Sequence, residues 1–163
     1  MQGKATILGH PIHPMLVSFP IGLFGGALVS DVISIWGDKT FWPQLSLWLI
    51  AFGIVAALLA AVFGFIDYLT APMPPATKRI ATAHMVLNLV VVAFYIAAFA
   101  VRYAAPVSLL GYVLTYVALG TLVASGWYGG HLVYVDLVGT KPAPPGVPVE
   151  GRTIVGDRQR VYR

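Results

Sequence analysis

The four histidines of the chain are the residues with the clearest potential for chemistry. His10 and His13 stand in the segment HPIHP near the start, and His84 and His131 stand inside later apolar stretches. Imidazole nitrogens are common ligands of metal ions and of haem iron. A residue before proline is disfavoured in the α region. We therefore expect His10 to Pro14 to be extended, with both imidazoles held rigidly and projecting toward the same side.

The elements that must position these histidines are predicted from composition. The chain has 163 residues, of which 58% are hydrophobic and 10% are charged, whereas a soluble domain is nearer 25% charged. Four apolar stretches are long enough to span a bilayer, at residues 15–36, 41–69, 80–103 and 107–135. We predict an all-α protein, a four-transmembrane-helix up-down-up-down bundle over residues 15–139. A His-Pro interfacial arm at 1–14 precedes it, and a short polar, basic and proline-rich tail at 140–163 follows it.

The predicted spans place most of the positive charge at one end of the bundle. All Lys and Arg residues except Lys39 and Arg102 fall on the side that carries both termini. The positive-inside rule then predicts that both termini are cytoplasmic, in an inner membrane. The sequence pI near 9.5 follows from this topology, and we expect no nucleic-acid partner.

The histidines are expected to share one membrane level with a carboxylate. His84 lies about one turn inside the third predicted helix, His131 about one turn from the end of the fourth, and Asp67 at the end of the second. All three should lie at the same end of the bundle as His10 and His13. Asn88 follows His84 by one helical turn, so we expect it to orient that imidazole.

Three interpretations of this cluster remain open. In the first, imidazoles on facing segments ligate one haem b, and Lys78 and Arg79 contact its propionates. The cofactor-binding candidates are then His10, His13, His84, His131, Lys78 and Arg79. In the second, a divalent metal (Zn, Fe or Cu) is bound by His10, His13, Asp67 and His84. In the third, the residues form a hydrogen-bonded polar layer without a cofactor.

Four glycines and one further acidic residue are the remaining candidate functional residues. Glycine pairs at helix-packing spacing predict close packing inside the bundle, with room for a cofactor or for another subunit's helix as the alternative. These are Gly22 with Gly26 and Gly126 with Gly130. Asp31, near the far end of the first span, is expected to pair with Arg102 or with water at that end; the alternative is an ion or proton path.

The sequence resembles a known family in the segments HPIHPMLVSFPIGL, GFIDYL, KRIATAHMVLN and GWYGGHLVYVDLVG. Together with Asp31 these are similar to a family of bacterial four-helix membrane proteins catalogued as domain of unknown function 2231. The resemblance covers about residues 9–140 and implies that fold and a bacterial inner-membrane location. Its histidine and aspartate positions carry over onto His10, His13, Asp67 and His84.

The resemblance also bears on function. The family's Gly-Gly-x-Leu-Val-Tyr motif carries over onto Gly129, Gly130, Leu132, Val133 and Tyr134, with His131 in the variable slot. Some relatives carry a Rieske-type iron–sulfur domain, which implies electron transfer, but this chain has no cysteine and so cannot build that cluster.

Three functions are consistent with these features. The first expectation is a haem b or metal-binding electron-transfer subunit, not an enzyme in its own right, since no hydrolase, metalloprotease or phosphate-loop motif occurs. The second is an accessory subunit of a larger membrane complex or a homo-oligomer, docking through its tail and glycine faces. The third is a small ion or proton transporter that uses Asp31 and Asp67.

Overall fold

A computed structural model describes residues 1–140, and the predicted tail beyond Thr140 lies outside the described residues. Two short antiparallel strands, β1 (Thr6–Ile7) and β2 (His10–Pro11), form the arm. The helices of the described part follow in chain order: α1 (Ile12–Leu16), α2 (Ser18–Ile33), α3 (Phe41–Thr70), α4 (Pro75–Ala104) and α5 (Leu109–Tyr134).

Four helical segments of the described chain are long and apolar enough to cross a membrane. The first is α1 and α2 together, interrupted at Val17, and the others are α3, α4 and α5. The interruption has a local cause, because Pro20 has no N–H to donate to the carbonyl of Leu16. The predicted all-α class with four membrane-spanning helices is confirmed.

Two local predictions are wrong. His13 is helical within α1 instead of extended, although Pro14 follows it. The first turn of a helix needs no intrahelical N–H bond, so Pro14 is tolerated there, and a bond from the His13 ring to α3 holds the backbone. Helix α4 begins at Pro75 and not at the predicted residue 80, so Lys78 lies within it; proline is tolerated at the first helical position because its φ already suits the helix.

The helices form two hairpins. α2 packs closely on α3, α4 packs closely on α5, and α3 and α4 join the two units. Three side-chain pairs connect α1 and α2 of the first hairpin to α4 of the second: His13 with His84, Phe24 with Tyr95 and Asp31 with Arg102. Their order is the same along both segments, so α2 and α4 run parallel.

These three pairs share one spacing, because each joins residues 71 positions apart in the chain. The same offset relates the buried residues of the two helices, Pro20 to Val91 and Ala27 to Ala98. The hairpins are therefore a parallel structural repeat around an approximate twofold axis that runs along the helices. Each pair meets across that axis.

The second helices of the two hairpins, α3 and α5, are related in the same way, by an offset of 65 positions. Fully or nearly buried residues of α3 correspond to buried residues of α5: Ser46 to Gly111, Ile50 to Thr115, Gly53 to Ala118 and Ala60 to Ser125. The repeat thus includes all four spans. Equivalent residues of α3 and α5 therefore lie on either side of each of the three side-chain pairs.

The middle pair gives a test of packing in this core. Phe24 and Tyr95 stack with ring centroids 3.7 Å apart, and a Cβ at Gly53 would lie 2.5 Å from Cε1 of Phe24. We expect Gly53→Ala to lower the free energy of unfolding by about 1–3 kcal/mol, as overpacking does, measured by thermal unfolding in detergent. Gly120→Ala is the matched control, since nothing lies within 4 Å of its Cβ position; equal effects at both positions would contradict the prediction.

Candidate functional site

His13 is held by the first hairpin. Its Nδ1 lies 2.8 Å from the carbonyl oxygen of Ala60 on α3. A carbonyl can only accept, so Nδ1 carries a proton, and Nε2 is the ring nitrogen left to contact a ligand. Gly64, one turn further along α3, leaves room for the ring, because a Cβ there would lie 2.8 Å from Nδ1 of His13.

His84 is held in the corresponding way by the second hairpin. Its Nδ1 lies 2.9 Å from the carbonyl oxygen of Ser125 on α5 and 3.1 Å from the Ser125 hydroxyl oxygen. Gly129 leaves room for this ring, because a Cβ there would lie 2.9 Å from Cε1 of His84. Ser125 and Gly129 are the repeat equivalents of Ala60 and Gly64.

The two imidazoles lie close together across the axis. Their ring centroids are 6.4 Å apart and their planes are 78° from parallel. Both rings donate Nδ1–H to a main-chain carbonyl, which leaves Nε2 as the ring nitrogen that can serve as a metal ligand. The site therefore presents two equivalent imidazole donors from opposite hairpins.

Asn88 breaks the equivalence of the two rings. Its Nδ2 donates to Nε2 of His84 at 3.1 Å and to the His84 carbonyl oxygen at 2.9 Å. The predicted contact between Asn88 and this imidazole is therefore present. Its equivalent in the first hairpin is Val17, which cannot donate from its side chain, so a ligand at His84 must displace the Asn88 amide.

The remaining predicted donors lie apart from this pair. His10 is exposed and its Nδ1 contacts the carbonyl of Leu8 in its own turn. His131 is half-exposed, with Nε2 3.9 Å from Oδ1 of Asp136. Among residues 1–140, no group of three His, Asp or Glu side chains is arranged to hold a metal ion. The structure thus brings His13 and His84 together without His10, Asp67 or His131.

The two predicted propionate partners differ in their availability. Lys78 donates to the carbonyl of Tyr68 and its ammonium lies 3.5 Å from the centre of the Tyr68 ring. Arg79 is exposed in the first turn of α4. Arg79 is therefore the cation at this end of α4 that is accessible to an anionic group.

Asp67 anchors the N-terminal arm across the helix ends. Its Oδ1 accepts the N–H of Ala5 at 3.0 Å, and Gly3 packs so closely that a Cβ there would overlap the same oxygen. The neighbouring N–H of Lys4 donates to Oγ1 of Thr70 at 2.9 Å. The carboxylate thus closes the arm over the end of α3.

We expect Asp67→Ala to release the arm. A hydrogen bond to a charged group contributes about 1.5–3 kcal/mol when buried, and a partly exposed one contributes less. The expected result is faster hydrogen exchange at the Ala5 amide and faster proteolysis within the arm. Thr70→Val, which removes the neutral neighbouring bond, should have the smaller effect. An arm as protected in Asp67→Ala as in the wild type would refute this role.

Asp31 and Arg102 form the pair at the opposite end of the bundle. The two guanidinium nitrogens Nη1 and Nη2 contact the two carboxylate oxygens at 2.9 and 2.7 Å, and both side chains are fully buried. Thr115 lies 3.4 Å from Nη1, and the ring centre of Tyr112 lies 4.6 Å from the guanidinium carbon. The predicted pairing is confirmed. This bidentate arrangement fixes Asp31 as part of the core.

The predicted internal packing of the glycine pairs is wrong at three of the four positions. A Cβ at Gly22 or Gly126 would meet nothing within 4 Å, and one at Gly130 would meet only Tyr134 of its own helix, at 4.0 Å. Of the four, only Gly26 faces another helix closely, since a Cβ there would lie 3.4 Å from Cδ1 of Leu49. These glycines face outward because the close contacts between elements are supplied by Gly53, Gly64, Gly111 and Gly129 instead.

Comparison with known protein families matches residues 9–142 to the family described as predicted membrane protein (DUF2231). The chain belongs to this family. The matched segment of this DUF2231 protein contains all four spans and both histidines of the pair. No curated protein and no solved structure gives a significant match.

Several residues of the site were not predicted from the sequence of this DUF2231 protein. They are the Ala60 carbonyl, Ser125, Gly64 and the Phe24–Tyr95 stack. A signal for them exists, because His-x10-Phe-x6-Asp in the first span matches His-x10-Tyr-x6-Arg in the third. That match is enough to identify His13 and His84 as equivalent residues of a repeat.

Proposed function

We propose that this membrane protein is a haem b-binding electron-transfer subunit in which His13 and His84 would hold the iron. One observation carries the proposal: two equivalent imidazoles meet across the axis of the repeat, each with Nδ1–H bonded to a main-chain carbonyl. An iron ion ligated from two sides needs ligands of this kind.

The separation of the two rings is compatible with one metal ion between them. Two imidazoles that bind one metal ion from opposite sides at about 2 Å per bond have ring centres roughly 6 Å apart. The observed separation is 6.4 Å. A haem supplies four of its own nitrogens and needs only two from the protein, whereas a bare ion needs at least a third donor. His10 and Asp67 are engaged elsewhere, which favours haem over Zn, Fe or Cu bound directly.

The residues around the pair have distinct roles in this proposal. Ala60 and Ser125 hold the imidazoles in the tautomer that leaves Nε2 free, and Asn88 exchanges its bond to His84 for a solvent or main-chain partner. Arg79 is the partner for an anionic propionate at the end of α4. When bound, the haem would supply one-electron redox chemistry, and the protein would hold it within the membrane between two soluble or membrane-bound partners.

We also propose the location and orientation of the chain. The end that carries the arm has exposed Lys4 and Arg79, whereas at the other end of the described chain Arg102 is neutralised by Asp31 and Lys39 is the remaining cation. The positive-inside rule then places the histidine pair on the cytoplasmic side of a bacterial inner membrane. Topology is testable by fusing a periplasm-specific reporter after Trp36 and after Met73, and activity after Trp36 alone is expected.

Purification in mild detergent, after expression with a haem precursor, tests the cofactor. We expect a haem spectrum that sharpens on reduction with dithionite, and iron and haem in equal amounts on the same sample. If the sample contains stoichiometric metal but shows no haem band, the site binds a bare ion instead of haem. Absence of both would refute a cofactor role for the histidine pair.

A second candidate function, an accessory subunit or homo-oligomer, is favoured by the outward-facing glycines. Gly22 on α2 and Gly126 on α5 have open space where a side chain would stand, and small residues on lipid-facing surfaces allow another helix to approach closely. If this surface binds a partner, Gly22→Leu with Gly126→Leu should release it, as judged by the mass of the native complex. Gly120→Leu, at another open position, serves as the control.

A further inference from the structure

A groove lies on the first two turns of α3, at the end of the bundle opposite the histidines. It has a volume of about 460 Å³ and is lined by Asp38, Thr40, Phe41, Gln44, Leu45 and Trp48. Asp38 and Thr40 belong to the loop that precedes the helix, at the level of lipid headgroups. Trp48 lies about 10 Å further along the helix, at the level of acyl chains, so the groove runs in the direction in which a lipid lies.

The charge in this groove comes from one residue. Four charged residues lie at this end of the described chain, and Asp31 and Arg102 neutralise each other inside the core. Lys39 donates to the carbonyls of Ser34 and Ile35 at the end of α2, where a cation is favoured. Asp38 is exposed and lines the groove.

The Asp38 carboxylate is held in place through one of its two oxygens. Its Oδ1 accepts the N–H groups of Thr40 and Phe41, both at 2.7 Å. These bonds, that of Phe41 first, lower the pKa of Asp38, so it is ionised at neutral pH. No bond engages Oδ2 among the described residues, and this oxygen is available to a cationic group.

We propose that this groove binds a phospholipid with an ammonium headgroup of the ethanolamine type. The ammonium pairs with Oδ2 of Asp38, and the hydroxyl of Thr40 and the amide of Gln44 donate to the phosphate. The acyl chain lies against Phe41, Leu45 and Trp48, and Phe41 and Trp48 are about half-exposed. Aromatic faces at this position also attract the ammonium, whereas an anionic headgroup without an ammonium keeps the phosphate contacts but has no group to pair with Asp38 and is repelled by it.

The test is lipid retention by the full chain. Protein from nanodiscs that contain phosphatidylethanolamine and phosphatidylglycerol in equal amounts is released into detergent and analysed by native mass spectrometry. We expect phosphatidylethanolamine to be retained at about a fivefold excess, the size of effect expected from one exposed ion pair. Asp38→Asn should abolish the excess, because asparagine still accepts both N–H bonds but has no charge.

Controls separate the headgroup from other occupants. Asp136→Asn removes an acid at the other end and should keep the excess, and unchanged thermal unfolding of Asp38→Asn shows that the loop is intact. Equal retention of the two lipids by the wild type would overturn the proposal. An excess that survives Asp38→Asn would also overturn it. So would a lipid-free dimer, detected by its mass, that is lost on Phe41→Ala. None of these outcomes depends on whether the chain binds haem.

Discussion

Replacing Asp31 by alanine should lower the free energy of unfolding by about 3–5 kcal/mol, the usual cost of removing one partner from a buried ion pair. The loss is large because Arg102 would remain fully buried with its charge uncompensated. Its Nε already has no hydrogen-bond partner among the described residues, so few alternative acceptors are nearby. Thermal or denaturant unfolding in detergent measures the change.

A double replacement separates the charge from the packing. Asp31→Leu with Arg102→Met removes both charges and should recover most of the stability, since buried pairs are often matched by apolar residues of similar volume. An exchange, Asp31→Arg with Arg102→Asp, should recover less. The repeat makes the two positions equivalent, but the stem of Arg102 fits against Gly111, and the equivalent of Gly111 is Ser46. Equal stability of Asp31→Ala and the wild type would show that the pair contributes little.

Loss of either imidazole should lower haem occupancy by more than about tenfold, because loss of a group that only supports a metal ligand already costs about 10–100-fold. His13→Ala and His84→Ala are expected to act alike, because both rings occupy equivalent positions 6.4 Å apart. The ratio of the haem band to protein absorbance measures occupancy. Imidazole added to the buffer should restore part of the band in both variants, because each leaves a space of that shape.

The other two histidines provide matched controls. His10→Ala and His131→Ala should retain the band, since one ring is exposed on the arm and the other lies near Asp136. Circular dichroism of all four variants checks that the helices are intact. A band lost equally in His10→Ala and His84→Ala would reject the assignment of the ligands. A band that survives in both His13→Ala and His84→Ala would place the haem elsewhere.

The helices and their number could be predicted from the sequence because the bilayer imposes one length and one polarity on each span. The pairing of Asp31 with Arg102 also followed, since a charge inside a membrane span requires a partner. Helix starts were less predictable. The preference of a residue before proline for extended backbone is weak, and at His13 a bond to the Ala60 carbonyl outweighs it.

The composition of the site depends on contacts between distant segments. All four histidines fall near one end of the bundle, but only tertiary packing determines that His13 points to α3 and His84 to α5. The direction in which each glycine faces could not be predicted from the sequence either. Gly22 and Gly64 both lie in apolar helices, and only the second is next to an imidazole.

The repeat has a consequence for how the two halves recognise each other. If two copies of the first hairpin associated as the two different hairpins do, Asp31 would face a second Asp31. Two copies of the second hairpin would bring Arg102 against Arg102, whereas the stacked rings and the imidazoles would match equally well in all three pairings. Like charges buried in contact cost several kcal/mol. A single acid and a single base therefore make each half associate with the other kind of half and disfavour the pairing of two like halves.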